Sequence, residues 1–310
     1  MITAPEPGYY TSVPMDIYAA WPYVSRSGLL LMRRSAAHYK AKRDRKPTNA
    51  MKLGSAAHMA ILEPELFSER YAAKGTCEEF TGKGDDRCKN SAAVMLESGQ
   101  GVCRTHLKKD APVNERVELL DASDFEACTA MRRVVAGKLR ANGLISGEGE
   151  FELSIVWDEQ VEVVAAGARV TVTVRCKARL DRFSALGGGT LLDIKTTQDA
   201  SRHSFTKAIF DYDYHVQGGF YMRAARQVGL PAQHYALLPI EKEPPYEACV
   251  YRLTEGALDA GEEIAMALLG KLALCQHTGT WPGYEDRVED IALPDWAWRK
   301  MDDELQELKP

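Results

Sequence analysis

The chain changes its apolar period near residue 149. Before that point apolar residues recur at helical spacing or not at all. After it they alternate with polar ones. FELSIVW, VEVVAA, VTVTVRCKARLDRFS and GTLLDIKTT read as strands of an antiparallel meander, turning at Gly167 and at glycines 187–189. A helix over about 204–228 follows, stopped by Gly229-Leu230-Pro231, then strands HYALLPIE and YEACVYRL, then helices over about 256–277 and 294–308. On the N-terminal side, residues 1–24 read as an irregular arm rich in Pro and Tyr. Ser25 or Ser27 caps a helix that runs through GLLLMRRSAAHYKAKRD to about Pro47. A second helix spans about 48–63, with Met51, Leu53, His58, Ile61 and Leu62 as its markers and Pro64 just beyond its end. A third spans 113–142, with an apolar stripe from Val117 to Leu139 and a stop at Asn142-Gly143. Residues 71–110 follow neither period. This order predicts an α/β (α+β) chain: a mixed central sheet flanked by helices, one domain over 1–310, with an insertion at 72–110.

Composition narrows the function classes. A chain of 310 residues with 45% apolar and 27% charged residues is long enough for a full core, which excludes a disulfide-stapled miniature and a disordered tail. It contains no run of ~18 apolar residues, the length that spans a bilayer. The start, MITAPEPGYYTSVPMD, lacks the basic and apolar regions of a signal peptide. Seven cysteines, an odd number, then point to reduced thiols and a cytoplasmic location. The net charge of -5 argues against a protein that coats nucleic acid with its whole surface. One stretch runs against that average. Arg33, Arg34, Lys40, Lys42, Arg43, Arg45 and Lys46 face a single acid, Asp44, for a local +6. It reads either as a solvated helix face or as a DNA phosphate contact surface.

The segment KARLDRFSALGGGTLLDIKTT carries the chemistry. Asp181 ends one predicted strand. Asp193 and Lys195 stand two apart on the next, and so share a face. Leu191, Leu192 and Ile194 make that second strand apolar, hence buried. A buried strand with Asp and Lys on one face needs a partner or a function. Carboxylates converging there call for a hard divalent cation such as Mg2+, with the lysine beside it stabilising phosphoryl charge. A surface ion-pair set on an edge strand is the bland alternative.

Inside the aperiodic segment, Cys77, Cys88, Cys103 and His106 are spaced C-x10-C-x14-C-x2-H. Four such ligands suit one closed, structural, tetrahedral Zn2+, which would order a stretch too polar to fold by apolar burial. Cys128, Cys176, Cys249 and Cys275 read as small core residues.

Together these motifs resemble a known family. Gly54 to His58, then LDRF with Asp181, then D-I-K-T over 193–196, then Q-x-x-x-Y over Gln217 to Tyr221 resemble the RecB-type branch of the PD-(D/E)xK nucleases, in the right order. SRSGLLLMRRSAAHYKAKRD and MKLGSAAHMAILEPELFSERY resemble the RecE-like phage and prophage exonucleases, the exonuclease VIII group. The resemblance implies a restriction-endonuclease-like core. It implies Mg2+ (or Mn2+) held by His58, Asp181, Asp193 and the carbonyl of Ile194, with Lys195 assisting the attacking water. Gln217 and Tyr221 would orient the DNA backbone or the lysine. Glu152 is either a carboxylate beside the metal or a residue on the solvent face of an edge strand, and both readings stay open. Some members carry an iron–sulfur cluster. That needs a close cysteine group after the core, and Cys249 and Cys275 do not form one.

The implied activity is exonucleolytic digestion of double-stranded DNA ends, 5′ to 3′, leaving 3′ single-stranded tails for recombination. A homo-oligomer such as a ring-shaped tetramer, a single-strand annealing recombinase (RecT-like) as partner, and a phage or prophage origin in a bacterial cell come with it. An endonuclease or flap nuclease of the same fold, and a catalytically silent DNA-end binding module, are the alternatives.

Overall fold

The computed structural model describes residues 5–42, 48–79 and 88–308. From residue 5 onward the N-terminal arm is ordered, which its pattern does not foretell. It forms strand β1 (Gly8–Tyr10) and helix α1 (Met15–Ala20). Over its described part the helix predicted up to Pro47 is instead three short ones, α2 (Arg26–Leu29), α3 (Leu31–Arg34) and α4 (Ala36–Lys40), and its residues 43–47 lie outside the described residues. Ser35 breaks it. Its backbone is extended and its hydroxyl accepts the His38 N–H at 3.2 Å, starting a new helix.

Helix α5 (Asn49–Leu62) matches the predicted 48–63 helix and is capped by Thr48. Pro64 does not end the helical region but opens α6 (Pro64–Arg70), because a proline at the first helical position loses no hydrogen bond. Short strands β2 (Tyr71–Ala73), β3 (Val94–Met95), β4 (Gly101–Val102) and β5 (Glu118–Leu120) follow. β2 and β5 pair in parallel and close the aperiodic segment at its base. The predicted 113–142 helix therefore begins late. It is α7 (Ala122–Gly137) and α8 (Leu139–Ser146).

Two long strands come next, β6 (Gly149–Ala165) and β7 (Ala168–Ser184), then β8 (Thr190–Thr197). Helices α9 (Arg202–Asp211) and α10 (Tyr214–Gln227) lead to β9 (His234–Glu241) and the two-residue β10 (Tyr251–Arg252), and α11 (Glu255–Thr278) and α12 (Asp295–Glu307) complete the chain. The main sheet has the order β1-β6-β7-β8-β9-β10, parallel only between β8 and β9. Among the described residues no helix is long and apolar enough to cross a membrane.

Alternation along β8 and β9 sends side chains into two cores. Leu191, Tyr235 and Leu237 join the cluster of α2, α3, α10 and α11; Leu192, Ile194, Ala236 and Leu238 join that of α5, α7 and α8. The sheet is thus covered by helices on both faces, as a buried parallel pair requires. α10 and α11 meet backbone to backbone. A Cβ at Gly219 would lie 2.6 Å from the Leu258 carbonyl oxygen, and one at Gly261 2.0 Å from that of His215. That contact fixes α10, which carries Gln217 and Tyr221. Of the four cysteines outside the insertion, Cys128, Cys176 and Cys275 are buried as expected, but Cys249 is exposed.

Candidate active site

The strand pairing itself makes the site. β7 and β8 are bonded only from Ser184↔Thr190 to Arg182↔Leu192. Beyond that pair they part: β7 continues beside β6, and β8 beside β9. Asp181 and Asp193 stand at this fork. Asp181 Oδ2 replaces the missing strand partner by accepting the Ile194 N–H at 2.7 Å. α5 crosses the fork and brings His58 Nδ1 to 3.4 Å from the same oxygen. Gly54, one turn earlier, shares that face. A Cβ there would only touch Thr196 Oγ1 at 3.7 Å, so the glycine is not needed for a close backbone approach.

Asp193 is buried, and Gln217 Nε2 donates to its Oδ1 at 2.6 Å. Its Oδ2 lies against Lys195 Nζ yet accepts no hydrogen bond of regular geometry. Lys195 is also stacked over the Tyr214 ring at 4.9 Å. Burial works against the ammonium, but Asp193 and Asp181 outweigh it and hold Lys195 above its usual range. The lysine therefore stays a cation. Burial, then Lys195, push His58 down, which favours the neutral imidazole. Burial, then the Asp193 charge, push Asp181 well up.

This arrangement fits a hard divalent cation. The site holds a carboxyl that cannot comfortably ionise, a second buried carboxylate with one under-bonded oxygen, and a neutral imidazole. It also has a cost. A carboxyl whose folded pKa exceeds its unfolded value loses stability as pH rises above ~3.9, the unfolded range of aspartate. Asp181→Asn should therefore raise the melting temperature of the metal-free protein at pH 7 by about 2–4 °C, and the gain should shrink toward pH 4. Calorimetry across that range checks it, and a variant that melts lower at pH 7 contradicts it.

A cavity of about 1430 Å³ opens onto the fork, lined among others by His58, Glu152, Asp181, Gln217 and Tyr221. Asp193 and Lys195 sit behind this lining. Glu152 lies on β6, beyond the last β1 pair, Tyr10↔Ser154, and lines the cavity. Its φ of 49° is left-handed, a strained state for a non-glycine residue, and it stands where the register would put it opposite Asp181. Arg179 Nε holds its carboxylate at 2.5 Å.

Of the predicted phosphate contacts, Lys42 lines this cavity. Arg33 pairs with Asp213 at 2.8 Å, Arg34 donates to the Tyr284 hydroxyl at 3.1 Å, and Lys40 lies over the Trp281 ring. They do not form one helix face, since the helix is broken at Ser35. Arg43, Arg45 and Lys46 lie outside the described residues.

Sequence reasoning missed other cavity cations, Arg26, Arg70, Lys177 and Arg179. Lys177, Arg179 and Asp181 alternate along β7, and that period-two spacing is the signal that could have found them. Lys177 is buried and donates to the carbonyls of Tyr18, Ala19 and Trp21, at 2.7, 3.1 and 2.7 Å. Burial, helped by Lys42, brings its pKa down to about 8. It fastens the N-terminal arm as a wall of the cavity.

In the insertion, Cys77, Cys88, Cys103 and His106 place their ligand atoms within 4.8 Å of one another, a set that could hold a metal ion. Cys77 Sγ and His106 Nδ1 are 3.4 Å apart, Cys103 Sγ and His106 Nδ1 3.7 Å, and Cys88 Sγ and Cys103 Sγ 4.0 Å.

No curated protein matches the chain. A solved structure from Eubacterium rectale, described as a "Putative exonuclease", superposes with a TM-score of 0.50 at 12% identity, over 93% of this chain and 98% of that one. The crystal structure of SSO0001 aligns over 47% of this chain and 63% of its own, at 15% identity and a TM-score of 0.25. The first likeness extends to the fold alone. The family model described as "PDDEXK-like domain of unknown function (DUF3799)" matches residues 25–293. A match over that length, on a chain whose forked strands carry Asp181 and the Asp193-Ile194-Lys195 run, makes this protein a member of that PD-(D/E)xK family.

Proposed function

We propose that the protein is a Mg2+-dependent exonuclease that digests double-stranded DNA from its ends, 5′ to 3′, in the manner of the RecE-like enzymes its motifs resemble. One observation carries the reading: Asp181 meets the Asp193–Lys195 pair at the strand fork, beneath a cavity edged with cations. His58, Asp181, Asp193 and the Ile194 carbonyl would hold the cation. Bound there, it supplies Lewis acidity toward a phosphoryl oxygen and an activated water.

The chain's own residues do the rest. Gln217 fixes the Asp193 carboxylate, so that its other oxygen has one orientation. Lys195 is held protonated and stabilises charge developing on the phosphoryl group. Arg179 orients Glu152 toward the cavity, and Tyr221 forms part of the wall next to Gln217. Lys42, with Arg70, draws in the phosphate backbone. The Cys3His set of the insertion carries a structural Zn2+. A homo-oligomer, such as a ring-shaped tetramer, and an annealing recombinase that takes over the 3′ tail complete the proposal.

End-labelled linear duplex and covalently closed circular duplex, each incubated with Mg2+, test it. The linear substrate should lose its 5′ label first as short products, while the circle stays intact. Linearised circles would assign an endonuclease instead, and no loss of either substrate would assign a silent end-binding module.

A further inference from the structure

The predicted 204–228 helix is interrupted, and the interruption is built rather than slack. α9 ends at Asp211, and Asp213 adopts a left-handed conformation with φ 56° and ψ 36° before α10 begins. No glycine relieves it. An L-residue held there costs energy and persists only where its surroundings enforce it. Two distant cations do so. Arg26 donates at 2.6 Å to the carbonyl of Tyr212 and at 2.6 Å to that of Asp213, and Arg33 pairs with the Asp213 carboxylate at 2.8 Å.

This junction turns two aromatic rings outward. Phe210 is 74% exposed and Tyr212 63%. Neither ring is loose. Phe210 stacks on His215 with centroids 6.0 Å apart and planes within 5°, and Tyr212 stacks on Tyr214 at 5.7 Å. Tyr214 in turn lies under the Lys195 ammonium. Arg26, which clamps the turn, also lines the cavity with His58 and Asp181. The exposed rings are thus tied to the candidate site twice, through Tyr214 to Lys195 and through Arg26 to the cavity. Acidic Asp211 sits between them and Asp213 is matched by Arg33, so the patch offers π-faces rather than positive charge.

We propose that Phe210 and Tyr212 form a stacking platform for unpaired nucleobases, one step along the strand from the phosphate that Lys195 faces. This inference rests on the nuclease reading and deepens it: the strand being cut is received single-stranded, its bases off the duplex. Aromatic faces accept any base, so the platform confers no sequence preference. It favours a frayed or single-stranded end over a fully paired one.

Terminal abasic nucleotides provide the test, used with the full chain and with Phe210→Ala/Tyr212→Ala. Stacking contributes ~1–3 kcal/mol per base, so the double variant should raise KM about 10- to 100-fold on an intact strand and leave kcat within about threefold. The wild type should lose the same factor when the terminal bases are removed. The variant should lose nothing further on the abasic strand, the non-additivity expected of groups that touch. Phe210→Tyr/Tyr212→Phe should restore wild-type behaviour. If the wild type cleaves intact and abasic strands alike, or if the variant still discriminates between them, the platform is wrong while the nuclease stands. If the wild type neither binds nor cleaves DNA, the nuclease reading fails and takes the platform with it. If the alanine variant sediments as a smaller species than the wild type, the rings face a second copy of the chain, and the platform is overturned.

Discussion

Replacing Lys195 by alanine is expected to lower the rate of DNA cleavage by about 100- to 1,000-fold, the usual loss when a positioned donor to developing charge is removed. KM should change little, because the ammonium is held behind the cavity lining rather than along its walls. Lys195→Arg should not rescue, since the planar guanidinium cannot replace a compact ammonium lodged between Asp193 and the Tyr214 ring. The single alanine variant also strands Asp193, a buried carboxylate, and breaking one half of such a pair costs ~3–5 kcal/mol. The control is therefore Asp193→Asn/Lys195→Met, which removes both charges together and should melt closer to the wild type while remaining inactive. Measured rates above about one tenth of wild type for either variant, in protein shown to be folded, would remove Lys195 from the reaction.

How much of this was legible beforehand differs by residue, for physical reasons. Asp193 and Lys195 stood out because polar residues on one face of an apolar strand are costly unless used, and the β8 burial pattern agrees. The α5 helix and the strand HYALLPIE were legible from their apolar patterns. The fork was not. It depends on where β7 leaves β8, and pairing register is a property of two strands and not of either one's pattern. The break at Ser35 had a local signal, a serine that can cap, outweighed by the surrounding helix formers. The break at Asp213 had none, because it is imposed by Arg26 and Arg33 from 180 and more residues earlier in the chain. Arg33 counts toward the local +6 of the sequence, yet in the structure it pairs with Asp213. Charge counted along the sequence says little about what each cation touches.

Zinc should copurify with the protein at about one ion per chain. In a tetrahedral site with Zn–S of ~2.3 Å and Zn–N of ~2.0 Å, the ligand atoms stand ~3.5–3.8 Å from one another. The Cys77–His106, Cys103–His106 and Cys88–Cys103 separations fall near those edges. Cys103 is also prepared as a thiolate. Burial pushes it up, but hydrogen bonds led by the His106 N–H and the Asn90 side chain bring it down to about 6. The buried cluster of the insertion consists of Cys77, Cys88, Val102 and Cys103, so three of its four residues are the ligands themselves. Val94, Leu96 and Leu107 pack against it only partly buried, so without a metal the cluster has little apolar area to oppose the entropy of ordering the segment. A chelator strong enough to strip zinc, or Cys103→Ser, should therefore unfold the stretch between β2 and β5 and open it to trypsin, with cleavage rates rising at least tenfold. The damage should stay local. His58 is carried by α5, whose Ala56, Ala57, Ala60 and Ile61 pack against Cys128, Met131 and Val135 of α7 in a separate cluster, and the β2–β5 pair closes the loop at its base. Limited proteolysis followed by mass mapping should find the cuts confined to residues 74–117. Cuts spread through α5 and α7, or a folded, protease-resistant protein with no bound zinc, would overturn the assignment.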